Sequence, residues 1–261
     1  MVTLTGRTAL VTGVSRSAGI GAAIARRLSA SGAALLLTGW PAHDAAQPWG
    51  SDPGGGERIR EELRAGGGQA EYVSADLADP AAPAELLRAA VSTVGPIDIL
   101  VANHGRSAHQ ALLEVTAEEL DLCFAVNSRA TLLLVRHFVE QHAGGPGGRV
   151  VTLTSGQYHG AMPGELPYIA SKAAIQQLTA TLAVELAPRR ITVNCVNPGP
   201  NDTGYATGQL RDRVRAAMPM GRWGRPEDAA RLVAWLCSDE ADWVTGQTIA
   251  SDGGWSARGS S

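Results

Sequence analysis

The stretch TALVTGVSRSAGIGAAIARRL, residues 8–28, joins an aliphatic run to an alanine-rich run through a glycine-rich turn. The pattern predicts a strand, a tight turn and a helix. Glycines in such a turn let the backbone approach a pyrophosphate, whose charge is received by the free N–H groups at the helix N-terminus. A glycine-rich turn alone is weak evidence, but its position after a first strand favours a dinucleotide site. The residues expected to contact the dinucleotide here are Gly13, Ser15, Arg16, Gly19, Ile20 and Gly21.

The rest of the chain alternates short aliphatic runs with longer helical stretches. The strand-like runs lie at residues 8–13, 33–39, 71–76, 98–103, 149–155, 191–198 and 246–254. This alternation predicts one domain, residues 1–261, of the α/β class, with a doubly wound, Rossmann-type parallel sheet of about seven strands and helices on both faces. Two irregular segments interrupt the pattern. We expect residues 40–56 to form a surface loop near the dinucleotide and residues 198–225 to form a substrate loop or lid.

Composition excludes several classes of function. The chain has 261 residues, of which 44% are hydrophobic and 18% charged, and its net charge is -3. These values are typical of a globular protein and give no electrostatic footprint for nucleic acid or an anionic membrane, so neither is expected as a partner. The absence of a long apolar run and of a signal-peptide pattern predicts a cytoplasmic location. The widely spaced Cys123, Cys195 and Cys237 indicate reduced core thiols, with neither a disulfide nor a metal site.

A second stretch, SGQYHGAMPGELPYIASK at residues 155–172, carries the candidate catalytic residues. Tyr168 and Lys172 are four residues apart in a predicted helix, so both project from one face. A neighbouring ammonium favours the phenolate form of tyrosine, whose ordinary pKa is about 10. Ser155 ends a predicted buried strand, at the edge where parallel sheets place their ligands. The Tyr-Lys spacing also occurs by chance in helices, but Lys172 is the only lysine among 22 Lys and Arg residues, which indicates a need for a compact ammonium.

The end of the second predicted strand bears on the choice of cofactor. Its sequence is Leu37-Thr38-Gly39-Trp40. NAD-preferring sites usually place an acidic residue at this point to bind the ribose 2′-hydroxyl. No carboxylate stands there, and Arg16 of the glycine turn could meet a 2′-phosphate, so the pattern favours NADP(H) and leaves NAD(H) as the alternative. Trp40 either stacks on the adenine or covers the sheet edge.

Together these motifs resemble the short-chain dehydrogenase/reductase family over essentially the whole chain. The matching residues occur in the family order: Thr12, Gly13, Gly19 and Gly21 in the turn, then Asp76-Leu77, Asn103-His104-Gly105, Asn127, Ser155, Tyr168, Lys172, Pro198-Gly199, Thr203 and the terminal SDGGW. The resemblance implies an NAD(P)-dependent oxidoreductase that interconverts an alcohol and a carbonyl compound.

The resemblance also implies a role for each matching residue. Tyr168 would be the general acid in reduction and the base in oxidation, Ser155 would bind the substrate oxygen, and Lys172 would lower the phenol pKa and hold the nicotinamide ribose. Asn127 would position a water in a proton relay. Tyr158, which has no lysine partner, is expected to line the substrate pocket. The implied cofactor contacts are Asp76 and Leu77 at the adenine, Asn103, His104 and Gly105 at the adenosine ribose, and Pro198, Gly199 and Thr203 at the nicotinamide and phosphates.

Two features depart from the usual family pattern. Five residues separate Gly13 from Gly19, where three are usual, and His104 takes the place of a common alanine. The longer turn, with PWGSD at residues 48–52 and NPGPNDTGY at residues 197–205, resembles a subgroup named as 3-oxoacyl-carrier-protein reductases. This resemblance implies reduction of a ketone such as a 3-oxoacyl thioester or a polyketide-like carbonyl. The alternatives are an NAD-dependent secondary alcohol dehydrogenase and a non-catalytic dinucleotide-binding sensor, although a sensor would not need the proton-transfer groups.

The predicted helices at residues 116–144 and 167–187 carry apolar residues on more than one face. One sheet cannot cover all of this surface. The pattern predicts a homo-oligomer, and the family resemblance implies a tetramer built on these helices.

Overall fold

The computed structural model describes residues 2–142, 144 and 147–258 and contains a seven-stranded sheet. The strands are β1 (Thr8–Thr12), β2 (Ala34–Gly39), β3 (Ala70–Ser74), β4 (Ile99–Ala102), β5 (Gly148–Leu153), β6 (Ile191–Asn197) and β7 (Thr248–Ala250). They pair in parallel in the order β3-β2-β1-β4-β5-β6-β7. The predicted doubly wound, Rossmann-type sheet is therefore confirmed.

The strand order fixes where a ligand can lie. Because β1 has β2 on one side and β4 on the other, the chain builds outward from β1 in both directions. The connections that follow β1 and β4 leave on opposite faces of the sheet, so a crevice opens between their carboxyl ends. The inner strands β1, β4 and β5 are largely aliphatic and buried along almost their whole length, since helices cover both faces, whereas the edge strands β3 and β7 are only partly buried.

Nine α-helices are described, and six of them form two layers, one on each face of the sheet. Their bounds are α1 (Ile20–Ala30), α2 (Pro41–Ala45), α3 (Gly55–Ala65), α4 (Ala82–Val94), α5 (Ala117–Cys123), α6 (Ala130–Gln141), α7 (Leu166–Leu186), α8 (Gly208–Ala217) and α9 (Pro226–Leu236). On one face, α1, α3 and α9 bury side chains such as Ile24, Ile59 and Val233 against the sheet. On the other face, α4, α6 and α7 bury side chains such as Leu86 and Leu134. The sheet thus lies between two apolar cores.

The helix predicted at residues 116–144 is not continuous in the α-helical form. A six-residue π-helical segment, Phe124–Arg129, separates α5 from α6. The stretch Ala117–Gln141 is long and apolar enough by length and composition to cross a membrane, since it contains an 18-residue window with a mean hydropathy of 1.2. Leu134, Val135 and Phe138 of this stretch are, however, buried in the core of the domain. Its apolar character therefore reflects packing against the sheet.

The two segments expected to be irregular contain short helices. Residues 40–56 include α2 and the start of α3, and residues 198–225 include α8. Cys123, Cys195 and Cys237 are all buried and free, as expected for core thiols. Burial raises the pKa of Cys123 and of Cys237 to about 12, which keeps both thiols protonated near neutral pH.

Candidate active site

The glycine turn between β1 and α1 is packed so tightly that it requires glycine at two positions. Gly13 has a φ of 71°, in the left-handed region that favours glycine. A side chain on Gly21 would collide with the carbonyl oxygen of Gly13. Helix α1 begins at Ile20 with Gly19 as its N-cap, and glycine has no side chain to accept bonds from the first-turn N–H groups. These N–H groups and the positive end of the helix dipole fit the pyrophosphate of a dinucleotide.

Asn103 joins β1 to β4 at the point where the two strands part. Its side-chain amide donates to the carbonyl oxygens of Thr12 and Gly13 at 3.0 and 3.1 Å, and its backbone N–H donates to the Thr12 hydroxyl at 3.0 Å. Both hydrogens of the amide are thus used inside the protein. Asn103 therefore shapes the floor of the crevice.

His104 lines the crevice, but its ring nitrogens are bound within the protein. Nε2 lies 3.0 Å from the carbonyl oxygen of Val126, which can only accept, so Nε2 donates the hydrogen and Nδ1 accepts from the Thr12 hydroxyl at 2.7 Å. The residue is only 7% exposed, and burial, with a smaller contribution from the charge of Lys172, lowers its pKa to about 3. His104 is therefore a neutral, packed histidine in this structure.

Lys172 projects from α7 into the space between β4 and β5. Its ammonium donates to the carbonyl oxygens of Leu153 and His104 at 3.0 and 3.2 Å. Burial lowers its pKa to about 8, since desolvation penalises the charged form. A Cβ on Gly105 would lie 3.2 Å from the ammonium nitrogen and 3.6 Å from Oδ1 of Asn127. Gly105 therefore makes room for Lys172 beside Asn127.

Tyr168 lies one helical turn before Lys172, at the start of α7. Burial raises the pKa of the phenol, and a hydrogen bond with the Ser155 side chain acts against the rise. The net direction is opposite to the lowering by Lys172 that the resemblance implies, and that lowering stays a prediction. The physical reason is that desolvation dominates at Tyr168, while two backbone carbonyls bind the Lys172 ammonium. What the structure brings together is Ser155 and Tyr168, with Lys172 on the same helix.

Asn127 lies in the π-helical segment, a form of helix that is frequent at functional sites. Its side chain accepts from the backbone N–H of Arg106 at 2.7 Å and donates to the Arg106 carbonyl at 3.0 Å and to the Ser171 hydroxyl at 2.8 Å. Arg106 also forms a two-point ion pair with Glu119, at 2.6 and 2.8 Å. Asn127 therefore holds the segment that follows β4 against α7.

The end of the crevice that is expected to hold the adenosine lies beyond the ends of β2 and β3. Trp40, which is 41% exposed, and Asp76 both line it, while Leu77 also packs into the core beneath. Asp76 accepts from the backbone N–H of Ala78 at 2.9 Å, which fixes the turn after β3. The lining residues that sequence reasoning missed include His43, Asp44, Trp49 and Arg106. The signal that pointed to three of them was the Pro- and Gly-rich composition of residues 40–56, which indicated only a loop.

Arg16 connects the glycine turn to the predicted substrate loop. Its guanidinium donates from Nη2 to the carbonyl oxygen of Thr203 at 3.0 Å and lies 5.8 Å from the centre of the Trp49 ring. Its Nε is buried and has no hydrogen-bond partner among the described residues. A buried donor of this kind fits an anion entering the crevice.

The crevice has a volume of about 550 Å³, in the size range of small-molecule sites. The residues predicted for the cofactor that line it are Gly13, Ser15, Arg16, Gly19, Ile20, Gly21, Trp40, Asp76, Leu77, Asn103, His104, Gly105, Tyr168, Lys172, Pro198 and Thr203. Gly199 is not among the lining residues; it packs against Asp252 instead, where a Cβ would collide. Asn127, Ser155 and Tyr158 also lie outside the lining set, and burial raises the pKa of the Tyr158 phenol.

Comparisons with known proteins agree with this geometry. A family model described as enoyl-(acyl carrier protein) reductase matches residues 13–256. The chain is 40% identical over 248 residues to the uncharacterized oxidoreductase YjdA of Bacillus subtilis, covering 94% of this chain and 95% of the relative. The chain belongs to the short-chain dehydrogenase/reductase family. It is therefore an NAD(P)-dependent oxidoreductase.

Two further relatives extend the comparison. Versicolorin reductase 1 of Aspergillus parasiticus is 33% identical over 267 residues, covering 96% of this chain and 97% of the relative. A short-chain dehydrogenase of Burkholderia cenocepacia, solved in complex with NADP, is 35% identical with a TM-score of 0.86, covering 96% of this chain and 98% of that structure. The similarity extends over nearly the full length of all three relatives.

Proposed function

We propose that the chain is an NADP(H)-dependent reductase that converts a ketone into a secondary alcohol. The observation that carries the proposal is the placement of Tyr168 and Lys172, one helical turn apart on α7, in the lining of a crevice of about 550 Å³ at the carboxyl edge of the sheet. These are the residue types needed to bind a carbonyl oxygen and transfer a proton to it. NADPH, when bound, supplies the hydride.

Proton transfer is assigned to Tyr168. Because burial raises its pKa, the phenol remains protonated near neutral pH, and a protonated phenol is the form that acts as an acid in reduction. Ser155 interacts with this phenol, so its hydroxyl can bind the same carbonyl oxygen that Tyr168 protonates. Lys172, whose pKa is lowered to about 8, is available to replenish the proton on Tyr168 and to bind the nicotinamide ribose. The role proposed for Asn127 is to position a water in this relay, next to the ammonium.

The preference for NADP(H) is supported by the charges at the adenosine end. Strand β2 ends at Gly39 and is followed by Trp40, so no carboxylate at this point opposes a 2′-phosphate. Arg16 lies in the crevice with a buried Nε free to donate among the described residues. A bound NADP in the Burkholderia relative is consistent with this preference. NAD(H) is the alternative cofactor, and the same site would then serve an NAD-dependent alcohol dehydrogenase.

The substrate is proposed to be a ketone such as a 3-oxoacyl thioester or a polyketide-like carbonyl. The support is the name of a reductase among the relatives and the loop at residues 198–225, which includes α8 and can cover a bulky substrate. Tyr158 would contribute to the substrate pocket from the segment after Ser155. A non-catalytic sensor on this fold would not require Ser155, Tyr168 and Lys172 together.

We also propose a cytoplasmic homo-oligomer, with the tetramer that the family resemblance implies as its form. Val184 of α7 is 78% exposed and Phe124, at the start of the π-helical segment, is 41% exposed, which leaves apolar surface on the helices predicted to associate. Light scattering of the purified protein tests this proposal, and a monodisperse monomer at micromolar concentration would contradict it.

The reductase proposal is tested by turnover. The purified protein is mixed with NADPH or NADH and a panel of ketones that includes a 3-oxoacyl thioester, with an enoyl thioester as a comparison for C=C reduction, and oxidation of the nucleotide is followed by fluorescence. We expect NADPH oxidation with a ketone. Tyr168→Phe should lower kcat by about 10²-fold or more, because the proton donor is removed, with little change in the Kd of NADPH. Equal turnover by the variant would contradict the assigned role of Tyr168.

A further inference from the structure

Ser17, in the long glycine turn, has all of its polar groups bound by charged side chains. Its backbone N–H donates to Oδ2 of Asp52 at 2.6 Å. Its hydroxyl accepts from Arg58 at 2.8 Å, and its carbonyl oxygen accepts from Arg26 at 2.9 Å. Arg58 also lies 3.5 Å from the Asp52 carboxylate, so the two side chains form an ion pair around Ser17. We call the set of Asp52, Arg58 and Arg26 the Ser17 clasp.

The clasp has its own support from α3. Arg26 forms a two-point ion pair with Glu62, at 2.6 and 2.7 Å, which fixes the guanidinium that reaches the Ser17 carbonyl. A two-point pair of this kind restricts the orientation of the guanidinium plane. The clasp therefore joins α1, the glycine turn and α3 into one unit.

The neighbouring residue of the turn, Arg16, contacts the same segment. Trp49 lies beside the Arg16 guanidinium and donates from its ring N–H to the buried carboxylate of Asp44 at 3.3 Å. The motif PWGSD, residues 48–52, thus meets two successive residues of the turn, Arg16 through Trp49 and Ser17 through Asp52. The unusual turn and this motif, which stand apart in the sequence, are two sides of one interface within the fold.

A turn with two residues more than the usual three has additional backbone freedom. When the nucleotide binds, the turn loses conformational entropy, and this loss reduces the affinity. A turn that is already held in its binding conformation loses less entropy on binding. Charge-assisted hydrogen bonds are suited to the task because they are short and directional. Asp52, Arg58 and Ser17 do not line the crevice, so the effect of Asp52 and Arg58 on a nucleotide passes through Ser17 to its neighbours in the turn, Arg16 and Gly19, which do line it.

We propose that Asp52 and Arg58 are positioning residues for the dinucleotide, which hold the long glycine turn in its binding conformation by fixing Ser17. This inference rests on the nucleotide being bound at the glycine turn, as the proposed function requires. It assigns a role to the PWGSD motif that is separate from contact with substrate or cofactor.

The decisive variant is Asp52→Ala. We expect the Kd of NADPH and the Kd of NADH, both measured by fluorescence titration, to rise by about tenfold, since the hydrogen bond between Asp52 and Ser17 supports the turn for both nucleotides. The kcat at saturating nucleotide and the KM for the ketone should stay within about twofold, because the reacting groups are untouched. Asp52→Asn keeps an oxygen that can accept from Ser17 and should restore most of the affinity. Glu61→Ala, on the exposed side of α3, is the matched control and should bind both nucleotides as the wild type does.

A second variant tests whether the clasp acts as a unit. Arg58→Met as a single substitution should raise the Kd of the nucleotide. In the Asp52→Ala background it should raise the Kd by a smaller factor, because interacting groups give non-additive effects. If the wild type binds nucleotide and Asp52→Ala binds it equally well, the clasp proposal is overturned while the proposed function stands. A parallel fall in kcat and rise in ketone KM would also overturn it, since that result indicates general disruption. If the wild type binds neither nucleotide, the proposed function itself fails.

Discussion

The substitution Lys172→Met tests how far burial tunes the active site. Lys172 is 5% exposed, and burial lowers the pKa of its ammonium from 10.5 to about 8. Below pH 8 both the folded and the unfolded chain hold the proton, and the full cost of the buried charge is present. Between pH 8 and 10.5 the folded chain releases a proton that the unfolded chain retains, so the contribution of Lys172 to stability rises with pH.

The size of the effect follows from the lowered pKa. A lowering of about 2.5 pH units corresponds to about 3 kcal/mol of cost at low pH, and about 2 kcal/mol of this should be recovered between about pH 7.5 and 9.5. Methionine has a similar length and no charge, so the variant removes the titration and keeps much of the packing. The recovered free energy of about 2 kcal/mol is as large as many destabilising effects of single substitutions, so unfolding measurements can resolve it.

The assay is urea unfolding of the wild type and of Lys172→Met at both pH values. Groups remote from Lys172 titrate in the same way in both proteins, and the pKa of His104, which the Lys172 charge lowers, lies far below this pH range, so the difference between the two free energies of unfolding reports mainly on Lys172. We expect the wild type to gain about 2 kcal/mol relative to the variant as the pH rises. An identical pH dependence in the two proteins would refute the reasoning, because it would show that hydrogen bonds to the Leu153 and His104 carbonyls offset the desolvation of the ammonium.

Two other positions on the scaffold and one at the cofactor give further predictions. Asn127→Ala should lower the free energy of unfolding by about 2 kcal/mol in urea titrations, since Arg106 and Ser171 lose buried hydrogen bonds. Asn127→Asp, whose side chain can only accept hydrogen bonds, should have a free energy of unfolding between those of the wild type and Asn127→Ala. An unchanged value in Asn127→Ala would contradict the role of Asn127 in holding Arg106 against α7. Gly39→Asp should abolish the binding of both nucleotides in fluorescence titrations, because its Cβ would lie 2.7 Å from a backbone oxygen of the glycine turn. Arg16→Gln should raise the Kd of NADPH by about tenfold and leave the Kd of NADH unchanged. An equal rise of both values in fluorescence titrations would show that Arg16 does not contact the 2′-phosphate.

Local patterns in the sequence were enough to predict the architecture. Aliphatic runs such as 33–39 predicted the strands because a sheet covered on both faces requires side chains that are apolar on both sides. The start of α7 was also correctly predicted, and with it the placement of Tyr168 and Lys172 one turn apart. In each case the property depends on residues close in the chain, so spacing carries the information.

The charge states at the site could not be predicted in this way. The sequence suggested that Lys172 lowers the pKa of Tyr168, but the structure shows desolvation as the larger effect on the phenol. Whether an ionisable group loses its water depends on which side chains surround it, and these come from several elements. The same applies to His104, whose two ring nitrogens are bound by groups from β1 and from the π-helical segment.

Strand, turn and helix patterns are local, and they were therefore sufficient to predict a parallel α/β sheet, a glycine turn suited to a dinucleotide and a Ser-Tyr-Lys set at the sheet edge. The packing of the elements, by contrast, brings Asp52 to Ser17, the Lys172 ammonium to the Leu153 carbonyl and the π-helical segment with Asn127 beside that ammonium. Such contacts join residues far apart in the chain. Their existence depends on how the elements pack, and hydrogen bonds and desolvation act only across those packed distances.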